Sequence, residues 1–297
     1  MIIAHISDLH LNWNGKTTFY KKVEELIRKV SLCEPDHIVI SGDVSEDGRE
    51  KDFLFLRELL IKFDLLNPLR TTLVIGNHDI FGTAINIEDA LSYPDRCKNT
   101  DYEDRVLIFT SYFRELFEGD SIIHGTSIYP FLKRVGDVFI LGMNSIEKYS
   151  TRNFAASNGL VKKEQRIAAE KLIRDHWDSQ SPLLLAIHHH FYRIERSKET
   201  FAGKVLTRVE NSTMKLRKKK KLLRWISDMG FSAVLHGHFH QQRVYKLGGV
   251  TYSNSGGSIK NGLGPVASAN FIDVTANNVR VETLSLNTHE RILATIK

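Results

Sequence analysis

Six short apolar runs punctuate this 297-residue chain, and five of them stop at residues able to bind a hard or borderline metal ion. The stops are Asp8-Leu9-His10, Gly42-Asp43, Gly76-Asn77-His78-Asp79, His188-His189-His190 and His236-Gly237-His238-Phe239-His240. The sixth run, Val138 to Met143, ends at Asn144 with no evident ligand. Strands buried on both faces read as continuous apolar segments, and open α/β sheets hold ligands in the loops at the carboxyl ends of their strands. The pattern therefore predicts a sheet edge lined with metal donors, enough of them for two ions.

The spacing of the runs sets the architecture. Strands at Ile2 to Ser7, His37 to Ser41 and Thr71 to Ile75 alternate with helices at Phe19 to Leu32 and Glu50 to Phe63, which implies βαβ units and a largely parallel sheet. Residues 80–135 break the rhythm with a polar stretch, Asp95 to Asp104, and an aromatic-rich helix, Val106 to Phe117. They read as an insertion bordering the site, because long loops on a rigid edge build binding surfaces. The strand then returns at Asp137 to Met143. A second alternating unit follows: helix Lys162 to His176, strand Leu183 to Ile187, helix Lys215 to Met229, strand Ser232 to His236. Short Gly- or Asn-bounded runs from Val244 to Leu286 resemble antiparallel strands. No repeat or linker divides the chain, so residues 1–297 are expected to form a single domain with two packed sheets and helices outside.

A hydrophobic fraction of 42% suits a substantial core. The first residues are apolar but lack a basic leader and are cut by His5 and Asp8, so they read as a strand and not a signal peptide. No stretch has the length of a membrane-spanning helix, and the default compartment is the cytoplasm. Cys33 and Cys97 fit no metal spacing and are expected to be free thiols. Part of the net charge of +6 lies in Lys215-Leu216-Arg217-Lys218-Lys219-Lys220-Lys221 and Arg224. Leu216, Leu222, Leu223, Trp225 and Ile226 supply an apolar stripe beneath that run, which makes it the solvated face of an amphipathic helix. Nucleic acid stays open as a partner but is not favoured.

Within the motifs, Asp8 and His10 lie two apart, so both can project toward one site. Asp43 offers two oxygens, the natural bridge between cations about 3.5–4 Å apart, and Asn77 offers an amide oxygen. His78 is placed near the reacting group, with Asp79 expected to orient its imidazole. Of the three consecutive histidines, His188 directly follows the strand and is the expected ligand; His189 is a candidate substrate contact. His238 and His240 share the spacing of Asp8 and His10, while His236 is expected to be buried and hydrogen-bonded in the strand. The donor set holds nitrogen and oxygen but no sulfur, which suits two divalent or mixed-valence ions of Mn, Fe or Zn.

Taken in order, Asp8-x-His10, Gly42-Asp43, Gly76-Asn77-His78-Asp79, His188 and Gly237-His238-x-His240 resemble the signature of the calcineurin-like metallophosphoesterase superfamily. The resemblance covers nearly the whole chain. It implies a four-layer αββα sandwich of two mixed β-sheets with helices on both outer faces. It also implies one metal among Asp8, His10, Asp43 and His240, and a second among Asp43, Asn77, His188 and His238. Ile128-Tyr129-Pro130-Phe131, the strand from Gly136 to Ser145 and Asn158-Gly159-Leu160 are similar to bacterial phosphodiesterases of the cyclic-nucleotide type. Val44-Ser45-Glu46-Asp47 after Asp43, and the absence of a proline promptly after His189, depart from the usual pattern. The expected chemistry is hydrolysis of a small phosphoester, preferably a nucleotide-type diester. Two cations sharing Asp43 would lower the pKa of a water between them from about 15.7 toward about 7 for attack on phosphorus. A phosphomonoesterase, a nuclease, a lipid-precursor pyrophosphate hydrolase and a non-catalytic scaffold are the alternatives. Substrate recognition is expected to fall to residues 80–135, 191–211 and 254–265.

Overall fold

The computed structural model of the chain describes residues 1–12, 18–83, 87–150, 156–192, 214–259, 267–276 and 278–285. Residues 193–211 and 260–265, and residue 286 at the end of the last expected strand, therefore lie outside the described residues. The first part runs β1 (Ile2–Ile6), α1 (Thr18–Leu32), β2 (His37–Ile40), α2 (Glu50–Lys62), β3 (Thr71–Leu73), α3 (Asn77–Phe81), α4 (Ile87–Asn99) and α5 (Tyr102–Tyr112). It continues with β4 (Ile122–His124), β5 (Phe131–Val135), β6 (Val138–Gly142), α6 (Lys163–His176), β7 (Leu183–Ala186), α7 (Lys219–Asp228) and β8 (Ala233–His236). The last strands are β9 (Arg243–Leu247), β10 (Val250–Asn254), β11 (Ser268–Thr275) and β12 (Asn278–Ser285).

These strands form two mixed sheets. One has five strands in the order β12-β11-β1-β2-β3, and the other has seven in the order β4-β5-β6-β7-β8-β10-β9. β1, β2 and β3 run parallel, as do β6, β7, β8 and β10, so their carboxyl ends gather at common edges. Side-chain parity separates the layers. Along β7, Leu184 and Ala186 belong to the core shared with the five-stranded sheet, whereas Leu183, Leu185 and Ile187 pack with α6 and α7 residues. Helix α1 buries Phe19, Val23, Leu26, Ile27 and Val30, an apolar stripe at helical spacing, each worth about 1.5–3 kcal/mol of burial. The result is the expected four-layer αββα arrangement. The basic run behaves likewise, with Leu216, Leu222, Trp225 and Ile226 buried beneath it.

Residues 80–135 are not wholly an insertion. Their first part forms α4 and α5, but β4 and β5 are integral strands of the seven-stranded sheet. The helix expected from Val106 begins four residues earlier, because Asp101 caps it by accepting from Glu103 N and Asp104 N, each at 3.1 Å.

Polar contacts tie the sheets together. His5 on β1 lies between Ser253 Oγ (3.0 Å) on β10 and Ser41 Oγ (2.9 Å) after β2. Lys133 on β5 is fully buried and donates to Thr71 O at 2.8 Å and Leu116 O at 3.1 Å. Both cysteines are free and buried. Among the described residues no helix is long and apolar enough to cross a membrane.

Candidate active site

The strand ends turn abruptly where the motifs begin. Asp8, His10, Asp43 and His238 have φ of 55°, 44°, 53° and 73°, a left-handed backbone that costs a non-glycine residue about 1–2 kcal/mol and concentrates at functional sites. Backbone hydrogen bonds lock the turns to one another: Asp8 N to Gly42 O (3.0 Å), His10 N to Asp43 O (3.0 Å) and Gly237 N to His188 O (2.9 Å). Two glycines permit the close approach. A β-carbon at Gly76 would overlap the backbone nitrogen and carboxylate of Asp43, and one at Gly237 would overlap Ser7 Oγ and the Asp8 carboxylate.

These turns bring the predicted residues together from both sheets. Asp8, His10 and His240 form one group of donor atoms, and Asp43, His188 and His238 another, the atoms of each lying within 4.8 Å of one another. His10 Nε2 is 2.7 Å from His240 Nε2, and Asp8 Oδ1 is 3.5 Å from His240 Nε2. In the second group His188 Nε2 lies 3.1 Å from Asn77 Oδ1, 3.2 Å from His238 Nδ1 and 3.3 Å from Asp43 Oδ2. Asp43 Oδ2 is also 3.9 Å from His10 Nε2, so this carboxylate faces both groups. Such convergence of imidazole nitrogens and carboxylate oxygens, with no sulfur among them, fits divalent cations.

Several donors are held by partners of their own. His188 Nδ1 donates to Ser41 O at 2.8 Å, which turns Nε2 toward Asp43 and Asn77. Asp8 accepts from His238 N at 3.0 and 3.1 Å, and Asp43 Oδ1 accepts from His78 N at 2.9 Å. His10 Nδ1 lies 2.7 Å from Glu46 Oε2. Glu46 is 2% exposed and was not predicted as a site residue; its signal was a carboxylate three residues beyond Asp43 in a strand-end loop.

Two expectations require correction. Asp79 does not orient His78: its Oδ1 accepts from Ser45 N and its Oδ2 from Gly76 N, both at 2.9 Å, so it braces the two loops around Asp43. The carbonyl of Glu46, 3.0 Å from His78 Nδ1, holds that imidazole instead. His189 is not turned to a ligand. It is buried against Gly159, with Nδ1 2.8 Å from Ser145 Oγ and Nε2 3.3 Å from Ser157 O. His236 is buried as expected, with Nε2 2.8 Å from Tyr245 OH. His78 and His240 remain partly exposed and form the open side of the site.

Electrostatics prepares Asp43, His10 and His238 as donors. Burial opposes charge on Asp43, but His188 and His78 outweigh it and hold the carboxyl well below the usual range. Burial, reinforced by neighbouring imidazoles, lowers His10 and His238, leaving them neutral. His188 is the opposite case: burial would lower it, yet Asp43 pushes it up to about 9. His78 is likewise raised against burial by Asp43 and Glu46.

A model of calcineurin-like phosphoesterases matches residues 1–242. Over 77 residues, 26% of this chain, the sequence is 36% identical to UDP-2,3-diacylglucosamine pyrophosphatase LpxG of Chlamydia muridarum, a stretch spanning 22% of that protein. A dimetal phosphatase from Danio rerio shares the fold with a TM-score of 0.62 at 11% identity, covering 96% of this chain and 98% of that one. Purple acid phosphatase PPD1 from yellow lupin (Lupinus luteus) seeds gives 0.56 at 12% identity, over 96% of this chain and 51% of that one. At such identities these two structures speak for the fold alone.

Proposed function

Because the chain belongs to the calcineurin-like phosphoesterase family, we propose that it hydrolyses a phosphodiester with two divalent cations, acting on a small nucleotide-type substrate. The observation that carries this reading is Asp43, whose Oδ2 faces His188 Nε2 at 3.3 Å and His10 Nε2 at 3.9 Å and so joins the two donor groups. Asp8, His10, Asp43 and His240 would hold one cation, and Asp43, Asn77, His188 and His238 the other, with Mn, Fe or Zn suited to the donors. Cations held there would supply positive charge opposite a phosphoryl group and acidify a water.

The chain's own residues do the rest. Asp43 is kept in register by the His78 backbone N–H, and His10 and His188 keep their Nε2 atoms inward because Glu46 and Ser41 O engage Nδ1. His78, with Nδ1 engaged by Glu46 O, presents Nε2 on the open side and donates a hydrogen bond to a phosphoryl oxygen or the departing alkoxide. Asp79 acts at one remove, by fixing the loop from which Asn77 and His78 project.

The likeness to the pyrophosphatase LpxG over 77 residues supports a second reading, hydrolysis of a lipid-precursor pyrophosphate at the same site. Manganese-loaded protein assayed against bis(p-nitrophenyl) phosphate, p-nitrophenyl phosphate and a UDP-sugar lipid ranks the two. The first reading expects diester turnover that falls to background in Asp43→Asn, with less bound metal and an unchanged circular dichroism spectrum. Undiminished turnover in that variant rejects the bridging role, and hydrolysis of the lipid pyrophosphate alone selects the second reading.

A further inference from the structure

The loops after β7, β8 and β10 meet beside the metal donors in an aromatic cluster that the hydrolytic residues do not use. His190 stacks on His238 with ring centroids 5.4 Å apart and an interplanar angle of 15°, and Tyr192 lies 5.2 Å from His190. Asn254, fully buried, shares its amide hydrogens among Tyr192 OH (2.8 Å), Gln241 O (2.8 Å) and Phe239 O (3.1 Å). Tyr192 is thereby fixed against the same loop that carries His238 and His240. Tyr245 stands edge-on to Tyr192 at 5.4 Å and 85°, held by its hydroxyl to His236 Nε2 and by stacking on Tyr252 at 5.2 Å.

Arg243 sits on this platform. Its guanidinium carbon lies 4.9 Å from the Tyr192 ring centroid and 5.8 Å from that of Tyr245. The residue is exposed, and no described side chain or carbonyl accepts from its guanidinium. A positive charge on an edge strand guards against strand-to-strand aggregation, but that duty requires neither two aromatic supports nor a braced tyrosine. Two rings restrict the rotamers of a long side chain, so its planar fork is ordered before a ligand arrives. A fork of that shape, exposed and without an acceptor among the described residues, matches the oxygens of a phosphate. Among the described residues, Tyr192 and His190 link Arg243 to the donor His238, so its partner is a group attached to the scissile ester and not the scissile phosphoryl itself.

We propose that Arg243, supported by Tyr192 and Tyr245, is a specificity determinant that binds a second phosphate distal to the scissile phosphorus. This rests on the phosphoesterase reading above, and its test separates the two. Manganese-loaded wild-type, Arg243→Ala and Arg243→Lys proteins are compared on thymidine 5′-(p-nitrophenyl phosphate) and its 3′-phosphorylated counterpart. Wild-type protein is expected to favour the 3′-phosphorylated ester at least about fivefold in kcat/KM, chiefly through KM. That ratio falls to about one in Arg243→Ala and is only partly restored by the lysine, which keeps the charge but not the fork. A wild-type ratio near one, or a ratio unchanged in Arg243→Ala, overturns the proposal. Calorimetric binding of thymidine 3′,5′-bisphosphate against thymidine 5′-phosphate supplies the second arm. If neither ester is hydrolysed, the nucleotide-diester reading fails, while an Arg243-dependent preference for the bisphosphate sustains the clamp and its absence removes it.

Discussion

Glu46 reaches from the loop after β2 into the interior, where its Oε2 lies 2.7 Å from His10 Nδ1 and its carbonyl 3.0 Å from His78 Nδ1. One residue thus fixes two imidazoles by different atoms. Carboxylates behind a metal-binding histidine typically contribute 10- to 100-fold in affinity or activity. Glu46→Gln keeps the shape and the carbonyl, so manganese affinity measured by titration calorimetry is expected to fall by about 10- to 100-fold, with His78 still in place. An unchanged affinity would reduce Glu46 to a packing role. The sequence disclosed the residues that converge because aspartate and histidine at strand ends have few other uses in such numbers. It did not disclose who orients whom. Asp79 stands next to His78 in sequence, yet its carboxylate turns to Ser45 N and Gly76 N, and His189 stands next to His188 but points into the protein. Adjacent residues at a turn face different directions, so sequence proximity says little about hydrogen-bond partners.

The turns are the elements on which the site depends. Gly76 precedes α3 and lets the Asp43 backbone and carboxylate pass where a β-carbon would stand. Gly76→Ala is expected to destabilise the fold by about 1–3 kcal/mol, as overpacking does, in urea titrations, and to lower bound manganese because the displaced group is Asp43 itself. Wild-type stability and metal content together in that variant would show that the loop has slack. Regular elements were legible where their periodicity was strong, as in α1 and β7. Those in residues 80–135 were less so: a capping aspartate at 101 moved a helix start, and β4 and β5 were hidden because β4 is only three residues long and has one exposed position among them.

Across the whole molecule, contacts within and between the two sheets depend partly on groups that must stay uncharged. Burial lowers the pKa of His5 well below that of a free imidazole, and burial together with the charge of Lys133 lowers His37 to about 3. The unfolded chain takes up these protons near pH 6.5, whereas the folded chain resists until much lower pH, so stability falls as pH drops from about 6.5 toward 3. His37→Gln should lose less than wild type on moving from pH 6 to pH 5, by about 1 kcal/mol in urea titrations; parallel losses would mean that His37 titrates normally. The αββα layering was readable from alternating runs, but the placement of β11 and β12 on the first sheet was not, because hydrophobic pattern alone does not say which edge a late strand joins.

Two members of the site, Asp8 and His238, are joined by a hydrogen bond although 230 positions separate them, and β1 is flanked by β11. A nascent polypeptide therefore possesses its carboxylates long before its final histidines, and no product that stops short of His240 can assemble the full donor set.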